Sequence, residues 1–163
     1  IDDRLQSMND EALELLHKVF VGCEEDIAGK YAQYRFYAYV SSMYHKCEVL
    51  VNEIIPGASG TNHKVSVAVK NNGMYIAVAH NKAIGNPVNK KETIRFYEIV
   101  DDIKKGDHGT MLSDAIYGSS AGFRGDALVE LENLSKSRIR DTENKLDFKT
   151  ANFENNIYSV TKC

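Results

Sequence analysis

Between residues 24 and 55 the apolar side chains Phe36, Val40, Met43, Cys47, Leu50 and Ile54 recur at steps of four and three. That spacing predicts one face of a long helix over 24–55, with Tyr37, Tyr44 and Val51 widening the stripe and Glu24, Glu25 and Asp26 forming an acidic first turn. Leu5, Met8, Ala12, Leu15 and Val19 repeat the pattern and predict a shorter amphipathic helix over 4–21, stopped by Gly22. Pro56-Gly57 ends the helical part.

Alternation then takes over. Residues 64–70 and 74–80 alternate on either side of Asn72-Gly73, the favoured pair for a two-residue hairpin turn. The expected register sets Val69 opposite Ile76, Val67 opposite Val78 and Val65 opposite His80, gathering the large aliphatics on one face for the long helix to cover. Residues 81–91 form a loop around Gly85-Asn86-Pro87. Residues 93–100 are assigned as a strand through Ile94, Phe96 and Glu98 in preference to a helix through Phe96, Ile99 and Ile103, and 111–117 as a short helix. The Gly/Ser stretch 118–122 is expected to be a flexible link. Asp126 is expected to cap a helix through Leu128, Leu131 and Leu134, although Ala127, Val129 and Leu131 also alternate as in a strand, and 146–149 and 157–160 supply two closing strands. The expectation is one α+β domain over 1–163, with a helical segment 2–55 and a mainly β segment 64–163. Two N-terminal helices, one of them long, lie on a mainly antiparallel sheet.

Charge and composition narrow the function classes. Net charge is −3, and the basic pairs Lys90-Lys91 and Lys104-Lys105 sit beside Glu92 and Asp101-Asp102. No cluster suited to tracking phosphates results, so nucleic acid is not an expected partner. No apolar run approaches the roughly 18 residues needed to span a bilayer. The chain starts at Ile1 rather than Met, so a leader, an anchor or other upstream sequence is expected to have been removed. A secreted or periplasmic location is the expectation, with the cytoplasm as its alternative. Cys23, Cys47 and Cys163 allow one disulfide and a spare thiol, or three reduced thiols with Cys47 a small buried hydrophobe.

Candidate chemistry is sparse. His17, His45, His63, His80 and His108 never share a helix face at ligand spacing, so neither a metal nor a cofactor is expected. Cys47, on the helix face that meets the hairpin, and His80, at the end of the hairpin's apolar face, are the candidate nucleophile and base. The simpler reading leaves Cys47 buried and inert and His80 at the core's edge. Asp107 and His108, in a loop between glycines, are a weaker acid/base pair. Arg124-Gly125-Asp126 matches the tripeptide by which extracellular proteins engage integrins, against the simpler reading of Asp126 as a helix cap. Asn133-Leu134-Ser135 is a glycosylation sequon, informative for a chain secreted by a eukaryotic cell. Tyr34 and Tyr39 lie off the main stripe of the long helix, where an amphipathic ring suits a protein contact, against the simpler reading that strands wrap the helix and bury both of its sides.

These features favour a non-catalytic, extracytoplasmic binding or assembly module that uses Tyr-rich helical surface to meet a protein partner or its own copy. A helix leading into an antiparallel sheet also resembles pilin-like subunits and periplasmic domains of secretion machinery, a likeness of layout alone. A small Cys/His enzyme and an integrin ligand are the alternatives.

Overall fold

A computed structural model describes residues 24–83, 85–139 and 146–153, and every statement below refers to these. The expected helix over 4–21 and strand over 157–160 lie outside them. The described elements run α1 (Glu24–Met43), β1 (Glu48–Pro56), β2 (Asn62–Asn71), β3 (Met74–Lys82), α2 (Lys90–Lys105), β4 (Asp114–Ser119), α3 (Gly125–Ile139) and β5 (Asp147–Asn152). The fold is α+β, with three helices around a five-stranded mixed sheet of order β1-β2-β3-β4-β5. Strands β1, β2 and β3 are antiparallel, whereas β3, β4 and β5 run parallel through the crossover helices α2 and α3.

The largest correction falls on the long helix. It ends at Met43, and Glu48–Pro56, expected as its last turns, is a strand. Lys46 takes a left-handed backbone (φ 64°) at the break. Beyond it, Val49, Val51, Ile54 and Ile55 form a β-branched run that pairs with β2, Val49 opposite Val69 and Val51 opposite Val67. Strand pairing, which no local period reports, decides this stretch.

The hairpin turn forms where Asn72-Gly73 predicts, both residues at positive φ (51° and 79°). Next to the turn the register is the expected one, Lys70 opposite Tyr75, but an irregularity between Val69 and Lys70 shifts the rest by one, to Val69 opposite Ala77 and Val67 opposite Ala79. Sorting by size therefore gives way to burial of both faces. Phe36 and Val40 of α1 pack with Val67, Val69, Ala77, Ala79 and Ile116 on one side. Phe96, Val100 and Ile103 of α2 and Ala127 of α3 pack with Ala68, Tyr75, Val78, Ala115 and Tyr117 on the other. Close approach of α1 needs a bare backbone at Gly118, where a Cβ would stand 2.5 Å from Phe36 Cε2.

Two further assignments exchange places. Residues 93–100, expected as a strand, lie within α2, whose buried residues Thr93, Phe96, Val100 and Ile103 follow helical spacing. Residues 114–117, expected in a helix, lie within β4, a continuous buried run paired on both sides. The stretch expected to be a flexible link begins as strand: Gly118 and Ser119 complete β4, and Ser119 is fully buried. A helix forms after residue 124 with Leu131 buried, but it begins at Gly125, so Asp126, expected as its cap, lies inside the first turn.

Candidate functional site

Parallel strands project ligand-facing groups from their carboxyl ends. At the carboxyl ends of β3 and β4 the chain places His80, Lys82 and Tyr117, and α2 adds Glu92. The Asn-x-x-Glu spacing of Asn89 and Glu92 is what starts α2 here. Glu92 N–H donates to Asn89 Oδ1 (2.9 Å) and Asn89 N–H donates to Glu92 Oε2 (3.0 Å), a reciprocal capping box. The other Glu92 oxygen, Oε1, accepts from Lys82 Nζ at 2.7 Å. One carboxylate thus holds the last residue of β3 and the first turn of α2 together. The loop between them is tied to the next crossover, because Val88 N–H donates to Gly122 O (3.0 Å) and Arg124 N–H donates to Val88 O (2.9 Å).

Beneath this clasp lies an aromatic floor. The His80 ring centroid is 6.3 Å from that of Phe96 and 5.5 Å from that of Tyr117, and Phe96 and Tyr117 are 4.8 Å apart. Burial lowers the His80 pKa below its ordinary 6.5, Glu92 opposing and Arg95 reinforcing the shift. Burial also pushes the Tyr117 hydroxyl up to about 12. At neutral pH both groups are therefore uncharged, and the Lys82–Glu92 pair carries the charge above them.

A second histidine sits with an acid at the other end of α2. Asp102 Oδ2 is 2.6 Å from His63 Nε2 and accepts from Ser59 Oγ at 2.7 Å, while Oδ1 accepts from Ser59 N–H at 2.9 Å. These are the residue types of a hydrolytic triad in another order. Hydroxyl and imidazole converge on one carboxylate oxygen, whereas nucleophilic catalysis needs the hydroxyl on the imidazole. Hydrogen bonds from His63 and then Ser59 hold the Asp102 carboxyl down at about 2. Gly57 makes room for the cluster, since a Cβ there would meet Asp102 Oδ2 at 1.9 Å. The cluster pins the β1–β2 turn to α2, helped by Ala58 N–H donating to Asp102 O at 2.9 Å.

The structure separates the residues singled out in the sequence. Cys47 precedes β1 and packs on the α1 side of the sheet, whereas His80 faces α2. Glu48, next to Cys47, lies across from Lys70 and thence Tyr75, five residues along β3 from His80, or about 16 Å at strand rise. The proposed nucleophile and base thus lose the shared helix-and-hairpin face that suggested them. Cys47 carries no disulfide; Cys23 and Cys163 lie outside the described residues. Among the described residues no three His, Cys, Asp or Glu side chains converge as metal ligands. Arg124 and Asp126 are exposed at the start of α3 with Nε and Oδ1 3.9 Å apart, so they face each other across Gly125. Tyr39 stacks edge-on against Phe153 and borders a groove of about 900 Å³ between α1, α3 and β5. Tyr34 is exposed, as an off-stripe ring should be.

The outer edge of β1 is the remaining feature. β1 pairs with β2, and no other described strand adjoins it. Val51 is 50% and Ile54 60% exposed. Asn52 between them has φ 50°, its side-chain oxygen accepting from Gln33 Nε2 of α1 at 3.0 Å. Tyr34 follows Gln33 on the same helix. No helix among the described residues is long and apolar enough to cross a membrane.

No family model and no curated protein sequence matches the chain. A solved structure described as "Protein of Unknown Function AF1548" resembles it at 16% identity and a TM-score of 0.49, over 77% of this chain. The chain spans 59% of that protein.

Proposed function

We propose that the chain is a non-catalytic protein-contact module, and that its contact surface is the outer edge of β1 with the adjoining α1 surface around Tyr34. The observation that carries this reading is a nine-residue edge strand bearing two exposed large aliphatics, Val51 and Ile54. Edge strands in soluble domains are blunted by lysine, proline or shortness. β1 contains no lysine, its one proline, Pro56, is its last residue, and Glu48 and Glu53 are its only charged residues; the positive φ of Asn52 is its main backbone irregularity. A second copy is the partner chosen here, because two identical edges meet across a two-fold axis, the commonest symmetry of soluble oligomers. In an antiparallel pairing centred on Asn52, Leu50 faces Ile54 and Val51 faces Glu53, so no glutamate opposes another.

Sedimentation equilibrium across the micromolar range tests this. The wild type associates reversibly, and V51K or I54K sediments as a monomer with an unchanged circular dichroism spectrum, since each removes an exposed side chain. A monomeric wild type at about 100 μM, a Kd range typical of weak pairing, overturns the reading; so does association that survives both substitutions.

A further inference from the structure

Glu92 is asked to do two things at once. It caps α2 through Asn89 and holds Lys82 at the end of β3; His80, two residues before Lys82 on that strand, has its ring against Tyr117 and against Phe96, one turn after Glu92 on α2. The charged and titratable groups acting on His80 are Glu92 and Arg95 of α2, with Lys82 on its own strand and Tyr117 of β4 beside them. Of these, Glu92 alone is an anion at neutral pH. A charged imidazole in an aromatic surround needs a counter-charge, and Lys82 and Arg95 offer none.

We propose that the His80–Glu92 arrangement is an acid-sensitive catch: protonation of His80 draws the Glu92 carboxylate away from Lys82 and from the Asn89 amide, and so opens the β3–α2 loop. Movement of Asn89 carries Val88 with it, and Val88 is the residue that bridges to Gly122 and Arg124 in the β4–α3 connection. Both crossover loops at this end of the sheet therefore loosen together. The depressed affinity of the neutral imidazole for a proton places the change on the acid side of the ordinary histidine range. This inference is independent of the contact proposed at β1, which lies elsewhere on the sheet.

Backbone amide exchange, corrected for the intrinsic pH dependence of exchange, decides it on the full chain. Between pH 7.5 and 4.5 the protection of Asn89, Glu92 and Thr93 falls at least tenfold more than that of Val100 and Ile103 in the same helix. H80F, which keeps an aromatic ring in the pocket, abolishes the differential loss, and E92Q shows a weakened cap already at pH 7.5. An equal loss in wild type and H80F assigns the effect to carboxylate titration and overturns the catch. Uniform loss along α2, or none, overturns it as well. Should H80F fold poorly, H80Q with the imidazole proton shifts of wild type followed over the same range replaces it, and Asn89 loss must track the His80 titration.

Discussion

The chain holds two histidines beside acids at opposite ends of one helix, and they behave differently because of what surrounds them. His63 joins Asp102 and Ser59 in a partly buried knot that links residues about forty apart in sequence and pins a turn. His80 lies among Phe96 and Tyr117 under Glu92, whose bonds link residues three and ten apart. In the first cluster hydrogen bonds favour the Asp102 carboxylate; in the second burial disfavours the His80 imidazolium, and the Glu92 carboxyl is lowered too, its burial outweighed by the hydrogen bonds from Lys82 and Asn89. A histidine grouped with an acid is thus a structural tie in one setting and, on the proposal above, a proton sensor in the other. Residue types alone do not separate the cases, and the Ser-His-Asp composition at residues 59, 63 and 102 shows how far they mislead.

The sharpest way to break this contrast is Glu92→Ala. It strands the Lys82 ammonium, leaves the Asn89 amide unsatisfied and removes the capping box. The expected loss is about 2–3 kcal/mol in urea unfolding. Glu92→Gln, which can still accept from Asn89, loses less, and equal losses would mean that the carboxylate charge adds nothing.

A smaller effect separates the two clusters by pH. The unfolded chain binds a proton at His80 near 6.5 and the folded chain only below that. In that window the unfolded state holds more protons, so stability falls as pH drops beneath 6.5. H80F flattens this slope in thermal unfolding measured from pH 7.5 to 5. Asp102 acts lower still. Its carboxyl is depressed to about 2, so its contribution is present above the ordinary carboxylate range and is lost as pH falls from near 4 toward 2. D102N removes only that lower slope, and a change of slope above pH 5 in D102N would merge the two clusters into one network.

How much of this was legible in the sequence follows from the range of the forces involved. The hairpin turn was, since Asn72-Gly73 acts within two residues, and so was the helix beginning near Asp126. The α+β class held, although its two expected N-terminal helices became one described helix before the sheet, with the other two helices interleaved among the strands. Glu48–Pro56 was misread because apolar residues at steps of three and four also occur by chance in a β-branched run, and the partner that makes it a strand lies beyond Pro56. The start of α2 carries a readable signal: Asn89 three residues before Glu92 is a cap, and it outweighs the alternation of Ile94, Phe96 and Glu98. Of the candidate site residues, His80 lies in the ring cluster at the end of β3, on the opposite side of the sheet from Cys47. Cys47 lies beyond the end of α1 at Met43, whereas Lys82 shares β3 with His80 and Glu92 and Tyr117 are brought there by a parallel crossover that no local pattern announces. The Ser59–His63–Asp102 knot depends on tertiary placement of the C-terminal end of α2.

The contact surface at β1 carries the functional reading, and its most direct test is amide exchange of the wild type as a function of protein concentration. The amides of residues 48–55 are predicted to gain protection as concentration rises from about 1 to 100 μM, a range that brackets weak self-association, while the amides of β3 and β4 stay constant. Protection in β1 that is independent of concentration, or that changes elsewhere on the sheet instead, would contradict it.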